Sequence, residues 1–513
     1  MKKTILFIFI LMSLAACVKD DSTYGNDQIY IRITGLSDSY HVTSFTNAPF
    51  SVAPTVESSF AENDLEYKWF YFKPQKTSQI VDGKYMEIHA KKIADTRQLD
   101  YHVALSDGTY VFVLVVTSKS TGYSRNVKTS VHVASLLAKG FVILKETADG
   151  NTDYDVYNND KGELINDVLT KVQGKPLLGK PRALDVNYGK EYLDQETGRK
   201  ESANLICVTT EADKVAWIRA MDGEIVMDNS NCFYETVTGV IPYRSFSGMF
   251  NSFYVTGNGI YGAGHGGFAG GSGIFGPLSG NGGSTHVITI PSLFSGMLFW
   301  NEQQHAIQFT DYNNGNHAIE STAEGYTVIN PDYDCLSCGV SCAGGETIYF
   351  LLQRRDNPSQ KRLYYIACPN RTPTLTQVRT LDPDTHFSKA TCRAVNANIA
   401  VIAYGVDANK VYSFDLAGTS PEKELLFSGL PSDEQITYLS NRYLKGDDGF
   451  DYLIVGTQKD NTYKLRMYKI VGGEPDGAPA IVIEGKGKLK GVDYLSPTVG
   501  ADDAYQMAPT LDQ

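Results

Sequence analysis

The chain has little that points to chemistry. Among 513 residues there are three tryptophans and nine scattered histidines, and Asp, Glu, Lys and Arg together make up only 20%. No stripe of clustered Lys and Arg is present. A phosphate backbone is bound by releasing its counterions to such clusters, so nucleic acid is a poor partner. H-E-x-x-H, G-x-S-x-G and the sialidase-type S-x-D-x-G-x-T-W box are all missing, which leaves a zincin or an α/β-hydrolase without support. No carboxylate pair stands out among the 58 acidic residues as a positioned acid and base. Helical periodicity is nearly absent, which excludes most α/β arrangements.

What is present begins at the N-terminus. Lys2 and Lys3 precede an apolar run from Ile5 to Leu14, followed by Ser13-Leu14-Ala15-Ala16-Cys17. The run is too short to cross about 30 Å of hydrocarbon, and small residues lie where a peptidase needs an uncrowded backbone, so residues 1–16 read as a signal peptide. The segment resembles a bacterial lipobox. That resemblance makes Cys17 the lipid attachment site, where several acyl chains, palmitate among them, anchor the protein at about 0.8 kcal/mol per buried methylene. Val18-Lys19-Asp20-Asp21 resembles the surface-export signal of some Gram-negative lipoproteins, and residues 17–27 read equally as a solvated acidic tether. Cleavage removes two lysines and no acid, so the net charge goes from -12 to -14.

Apolar residues at 42% supply material for a core, while 32 tyrosines and 23 phenylalanines favour strands. Residues 28–134 read as an immunoglobulin-like sandwich. IYIRI from Ile29 alternates at period two, LEYKWFYF from Leu65 carries the aromatics of a central strand, and a turn at Asp107 opens TYVFVLVV, with Trp69 as the core ring. The Tyr67-Lys68-Trp69 strand, the Leu99-Asp100 step and Asp107-Gly108-Thr109-Tyr110-Val111 resemble the PKD-like domain of exported bacterial lipoproteins.

From 139 to 498 a looser repeat takes over. Apolar strands begin near Gly140, Asn204, Ser252, Gly296, Glu346, Ile399 and Tyr452, about 45–65 residues apart. Several are followed, after a polar turn, by a second strand, at Asp213, Lys361, Asn409 and Tyr463. This recurrence predicts an all-β chain in which the sandwich is followed by a β-propeller of about seven blades and a tail at 499–513; a sandwich array or a β-helix is the alternative. With the lipobox and Lys139-Gly140-Phe141-Val142, the whole resembles PKD-like lipoproteins found beside outer-membrane glycan-uptake systems. The resemblance implies an outer-membrane, lipid-anchored protein facing the cell surface. It also implies polysaccharide or oligosaccharide as ligand and an outer-membrane transporter complex as partner, and it carries over no catalytic residue.

Residues 257–283 are the most unusual stretch, with thirteen glycines in twenty-seven positions. Gly257 to Gly262 matches G-x-G-x-x-G, yet no helix follows to receive a pyrophosphate and no acidic residue appears through 301 to hold a ribose. A hairpin explains these glycines better, with a long loop after it. Sugar binding uses aromatic faces against the C–H faces of pyranose rings. The candidate ligand residues are therefore Tyr261, His265 and Phe268 in this stretch and Trp300 beside Asn301 and Glu302; Trp69 and Trp217 read as core. Asp149-Gly150-Asn151-Thr152-Asp153-Tyr154-Asp155 reads as a hairpin turn rather than a calcium loop. Seven cysteines remain after Cys17. Cys335, Cys338 and Cys342 form C-x2-C-x3-C, but no histidine lies near enough to complete a zinc site, so a disulfide or buried thiols are expected, with Cys207, Cys368 and Cys392 in the core. The sequence calls for no cofactor and no metal. Two other functions stay open: a protein-interaction lipoprotein, serving a transporter or adhesion, and a polysaccharide lyase or hydrolase with an unrecognised site.

Overall fold

The computed structural model describes residues 29–497 except 47, 75–79, 82–83, 86–89, 196–197, 248–250, 265–272, 280–287, 290–295, 312–314, 342–346, 369–371, 399–400 and 445–448. It is an all-β protein with two compact units, an immunoglobulin-like sandwich and a seven-bladed propeller. Among the described residues no helix is long and apolar enough to cross a membrane.

In the sandwich, one sheet has the order Ser39–Ser44, Ser124–Ser135, Gly108–Ser118, Leu65–Phe72 and Lys91–Ala94. Two short pairs, Ile31–Thr34 with Thr55–Ser58 and Phe50–Val52 with Leu99–Tyr101, complete it. The alternation in Gly108–Ser118 puts Tyr110, Phe112, Leu114 and Val116 inside, as a half-buried strand requires. Trp69 is 1% exposed and its indole N–H donates to the Thr96 carbonyl at 3.1 Å. An aromatic body is thereby buried with its one polar group satisfied.

The second unit holds seven consecutive antiparallel sheets. Named from the innermost strand outward, blade 1 is Lys488–Leu495, Gly140–Glu146, Thr152–Asn158 and Glu163–Ile165; blade 2 is Pro181–Leu193, Lys200–Thr210, Val215–Arg219 and Ile225–Met227; blade 3 opens with Pro242–Ser247, Asn251–Thr256 and Gly259–Gly264. Blade 4 is Ile288–Thr289, Met297–Asn301, Ala306–Thr310 and Asn316–His317. Blade 5 is Tyr333–Ser341, Thr347–Arg354, Lys361–Ala367 and Thr374–Thr380, with Glu320–Ser321 added in parallel at its edge. Blade 6 is Cys392–Val395, Ile402–Asp407, Lys410–Asp415 and Lys423–Glu424, and blade 7 is Gln435–Leu444, Phe450–Lys459, Thr462–Val471 and Ile481–Lys486.

The last strand of the chain closes the ring. Lys488–Leu495 pairs with Gly140–Glu146, Gly140 opposite Leu495, so the innermost strand of blade 1 comes from the far end of the sequence. Closure leaves few strand edges for foreign pairing. Each hydrophobic cluster joins neighbouring blades: Trp217 with Tyr254, Phe253 with Phe299, Trp300 with Phe350, Tyr365 with Phe414, and Tyr404 with Leu453. Second strands such as GFVILKE are therefore buried on both faces, which is why they read as continuous apolar runs.

Among the described residues blade 3 has three strands, and the glycine-rich stretch adds an isolated bridge to its outer edge, Leu278 opposite Tyr261. The Gly276 amide donates to the Gly262 carbonyl at 3.0 Å and that of Ser279 to Ile260 at 2.7 Å. The hairpin expected at Gly257 is present, with Thr256 opposite Gly259.

Candidate ligand-binding surface

Two of the four aromatic candidates face inward. Tyr261, on the third strand of blade 3, is 4% exposed, and its ring centroid lies 4.9 Å from that of Phe233. Burial raises its phenol above the usual range. Trp300 is 1% exposed within the blade 4–blade 5 cluster. In this arrangement neither ring offers a face to a sugar; both are core, because strand alternation turns them toward the neighbouring blade. His265 and Phe268 lie outside the described residues, as does Cys17.

Buried charge gathers instead along the innermost strands. Arg442 of blade 7 lies 3.6 Å from Asp493 of blade 1 and donates to the Val492 carbonyl. Asp493 accepts the Val186 amide of blade 2 and its neighbour Tyr494's amide, both at 2.8 Å. Asp185 of blade 2 forms a two-pronged pair with Arg244 of blade 3, Nε to Oδ2 being 3.2 Å. Burial pushes the Asp493 carboxyl up, against Arg442 and the two amides, which favour its ionised form. In blade 1, Asp155 meets the Lys145 ammonium and the Tyr463 hydroxyl, while Asp153 accepts Leu169 and Thr170 amides and so holds the short helix Val168–Gln173. These carboxylates are engaged in joining strands. Among the described residues no group of three His, Cys, Asp or Glu is placed to hold a metal.

Strand direction gathers two kinds of loop at one end of every blade: the turn after its second strand and the connection leaving its fourth. The turns are tight, and Asp213, His305, Asn409 and Asp460 all take left-handed backbone there. At Ala408-Asn409 both residues have positive φ, the pattern of a two-residue type I′ hairpin.

On this end of blade 7 lies a polar cavity of about 230 Å³, lined by Glu434, Thr457, Lys459, Asp460, Thr462, Lys464 and Glu484. Glu434 is fixed by Arg466, whose two terminal nitrogens reach it at 2.8 and 3.2 Å, and by the Thr457 hydroxyl at 2.5 Å. The Arg466 hydrogen bonds outweigh partial burial and hold its carboxyl down at about 2, so it stays an acceptor at neutral pH. Lys464 pairs with Glu484 at 2.8 Å. The cavity thus alternates cations, carboxylates and hydroxyls over a short distance.

At the same end of blade 6, on its face toward blade 5, the connection into the blade sets His386 face to face with Tyr412, ring centroids 3.6 Å apart and planes 6° from parallel. The His386 Nδ1 is 2.8 Å from Asp407, a carboxylate that only accepts, so Nδ1 carries the proton; in the neutral ring Nε2 is then an acceptor. Glu422 accepts the His386 and Phe387 amides at 2.7 Å each and fixes the approach of the chain. The His386 side chain is 43% exposed. One turn serves both features: Asp407 holds His386, and two residues on, Asn409 donates to the Glu434 carbonyl at 3.0 Å and accepts the Ile436 amide at 2.7 Å. No motif marks these residues in the sequence; the stack is made by the register between blade 6 and the loop before it.

Comparison with known proteins finds a match for the N-terminal part. Residues 24–181 match the model of the PKD-like family. The PKD-like match takes in the sandwich and the three strands of blade 1 that follow it. Among solved structures, a quinoprotein alcohol dehydrogenase-like protein of Bacteroides thetaiotaomicron is similar, with 13% identity, TM-score 0.49, and coverage of 90% of this chain and 97% of that one. BamB of Moraxella catarrhalis is similar with 11% identity, TM-score 0.30, and coverage of 72% and 98%. No curated protein matches the chain.

Proposed function

We propose that the protein is an outer-membrane lipoprotein, anchored through Cys17 and facing the cell surface, that binds glycan without cleaving it. The observation that supports glycan binding is the blade 7 cavity, where Lys459, Lys464, Thr457, Thr462, Glu484 and Asp460 present donors and acceptors side by side. A sugar's hydroxyls each donate and accept, so they match such a lining better than an apolar ligand would. The lipobox supports the anchor, and the family resemblance supports a place beside a glycan-uptake transporter; fold alone would not.

The test is native affinity electrophoresis of the soluble form beginning after Cys17, through gels containing plant, microbial and host polysaccharides. Retardation by one class with no shortening of the polymer is expected. Free migration through every gel, with a discrete membrane protein co-purifying, would replace this reading with a protein-binding one. Shortened polymer would make it an enzyme. For the anchor, Cys17→Ser should release the protein from the membrane fraction and abolish acyl labelling.

A further inference from the structure

We infer that a second copy of this chain docks on the turn-bearing end of blade 3, blade 3 against blade 3, in a two-fold dimer. The inference goes beyond the glycan reading and does not depend on it. Between Arg244 and Glu302 the chain carries no Asp, Glu, Lys or Arg, although these residues make up 20% of the whole. That stretch supplies most of blade 3 and the first two strands of blade 4. The connection 229–243 leading into it adds a single charge, Glu235. Strands packed between blades account for the buried part of this deficit. They do not account for the exposed part, where Tyr234 is 62% exposed and Ile241 and Leu278 are each 38% exposed, with Thr236, Thr238 and Asn258 among them.

Hydrogen bonds place these residues on one continuous surface. The Gly257 amide donates to the Ile241 carbonyl at 2.7 Å, and a Cβ built at Gly257 would stand 3.0 Å from that of Ile241, so this side chain lies against the hairpin turn. Asn258 of the same turn donates to the Gly239 carbonyl at 3.4 Å. Across the blade, Leu278 is bridged to Tyr261, and the Ser279 amide donates to the Ile260 carbonyl at 2.7 Å. The Tyr234 amide donates to the carbonyl of Phe275, three residues before Leu278. Ile241 and Leu278 therefore stand at the inner and outer sides of the same blade end, three strand spacings or about 14 Å apart.

Charge decides what covers this surface. The chain carries a net charge of -12, and like charges keep copies of such a protein apart. A patch almost without charge is where two copies meet without setting carboxylate against carboxylate. Being neutral, it also complements itself, as a two-fold interface requires. Depletion of charged residues around exposed apolar and aromatic ones is the compositional mark of a protein interface. Hydrocarbon is a poorer occupant, because Thr236, Thr238 and Asn258 set hydroxyls and an amide among the apolar side chains, and lipid cannot satisfy them. Elsewhere an exposed apolar residue stands among charges: Leu426, 83% exposed, follows Lys423 and Glu424.

The experiment is sedimentation velocity of the soluble chain beginning after Cys17, over a wide range of concentration and at low and high salt. A monomer–dimer equilibrium is expected, and it should tighten with salt, which screens the repulsion of two acidic bodies and breaks no ion pair between them. Leu278→Asp and Ile241→Asp set like charges against each other in the dimer and should each weaken it at least about tenfold. Leu426→Asp should leave it unchanged. Near-ultraviolet circular dichroism reports whether each variant is folded. Asn258→Asp, a mild change in an exposed turn, should also weaken the dimer and decides the matter where the other two variants do not fold. A monomer at every concentration, a dimer that loosens with salt, or a dimer unchanged in folded Leu278→Asp and Asn258→Asp overturns the inference. A monomer that co-purifies with a different membrane protein, and loses it through Leu278→Asp, gives the surface to that protein and overturns the inference equally. Retardation in polysaccharide gels is read separately, so failure of the dimer leaves glycan binding standing, and free migration in the gels leaves the dimer standing.

Discussion

The Asp493 carboxylate accepts the backbone amide of Val186 at 2.8 Å, although 307 positions separate the two. This bond ties the strand that closes the ring to the innermost strand of blade 2, and Arg442 of blade 7 approaches the same carboxylate. Asp493→Ala would leave a buried amide and a buried guanidinium short of a partner, a change that costs about 3–5 kcal/mol where a buried pair is broken. The urea midpoint of the soluble chain should fall accordingly. Asp493→Asn keeps an acceptor for Val186 and should lose distinctly less. Equal, small losses in both variants would show that ring closure rests on the strand pairing alone.

Gly273 has φ +75°, and a Cβ built on it would lie 1.9 Å from the Glu191 carbonyl oxygen, backbone against backbone. Gly150 has nearly the same φ, +72°, with nothing within 4 Å. Gly150→Ala should therefore cost only the left-handed conformation, about 1–2 kcal/mol, whereas Gly273→Ala must also push the glycine-rich segment off blade 2 and should cost at least about 4 kcal/mol, in the exceptional range for one substitution. Thermal unfolding of the two variants side by side checks this, and similar melting temperatures would contradict it.

The strands that the sequence announces are the second and third of each blade. FVILKE, LICVTT, TIYFLL and LIVGT lie between two neighbours and need apolar residues on both faces, so they stand out as runs. The innermost strands do not stand out, because they carry the charges that join blades: Asp185, Arg244, Arg442 and Asp493 interrupt any apolar pattern. That also hides the closure, since Lys488–Leu495 reads as a polar stretch until its partner Gly140–Glu146 is known. Glycine at 273 and 276 masks the docking of this segment on blades 2 and 3, because what distinguishes it is close backbone approach and not side-chain type. Tyr261 and Trp300 attract notice as aromatics near polar residues, but only register decides which face a ring takes, and here it turns them into blade interfaces. His386 and Tyr412 carry no local signal for the same reason.

Thiol chemistry separates the cysteines. Cys207, Cys335 and Cys338 are buried, and burial pushes each thiol up, Cys338 to about 12. The thiolate is the reactive form, so these three should resist alkylation in the native chain, while the partly exposed Cys368 reacts. Mass spectrometry of iodoacetamide-treated protein, digested afterwards, assigns the label peptide by peptide. Rapid labelling of Cys335 or Cys338 in folded protein would mean that the innermost strand of blade 5 opens.

Lys190 lies on the innermost strand of blade 2, fully buried. Its ammonium donates to the Glu191 and Gly273 carbonyls and stands 4.6 Å from the centre of the Phe275 ring, so it pins the glycine-rich segment. Burial draws its pKa down to about 7, against about 10.4 for a lysine in an unfolded chain. Between those values the unfolded chain holds a proton that the folded one has released, so stability must rise with pH there. The burden on the folded state is whole below about 7 and gone above about 10. Lys190→Met cannot take up the proton. The unfolding free energy of the wild type minus that of this variant should therefore climb between pH 7 and pH 10, with a slope of at most about 1.4 kcal/mol per unit, and be flat below pH 6. Denaturant titrations at half-unit steps measure it. Parallel profiles would mean that Lys190 keeps its proton throughout, held by the two carbonyls and the ring, and would turn attention to those contacts as a strong ammonium site.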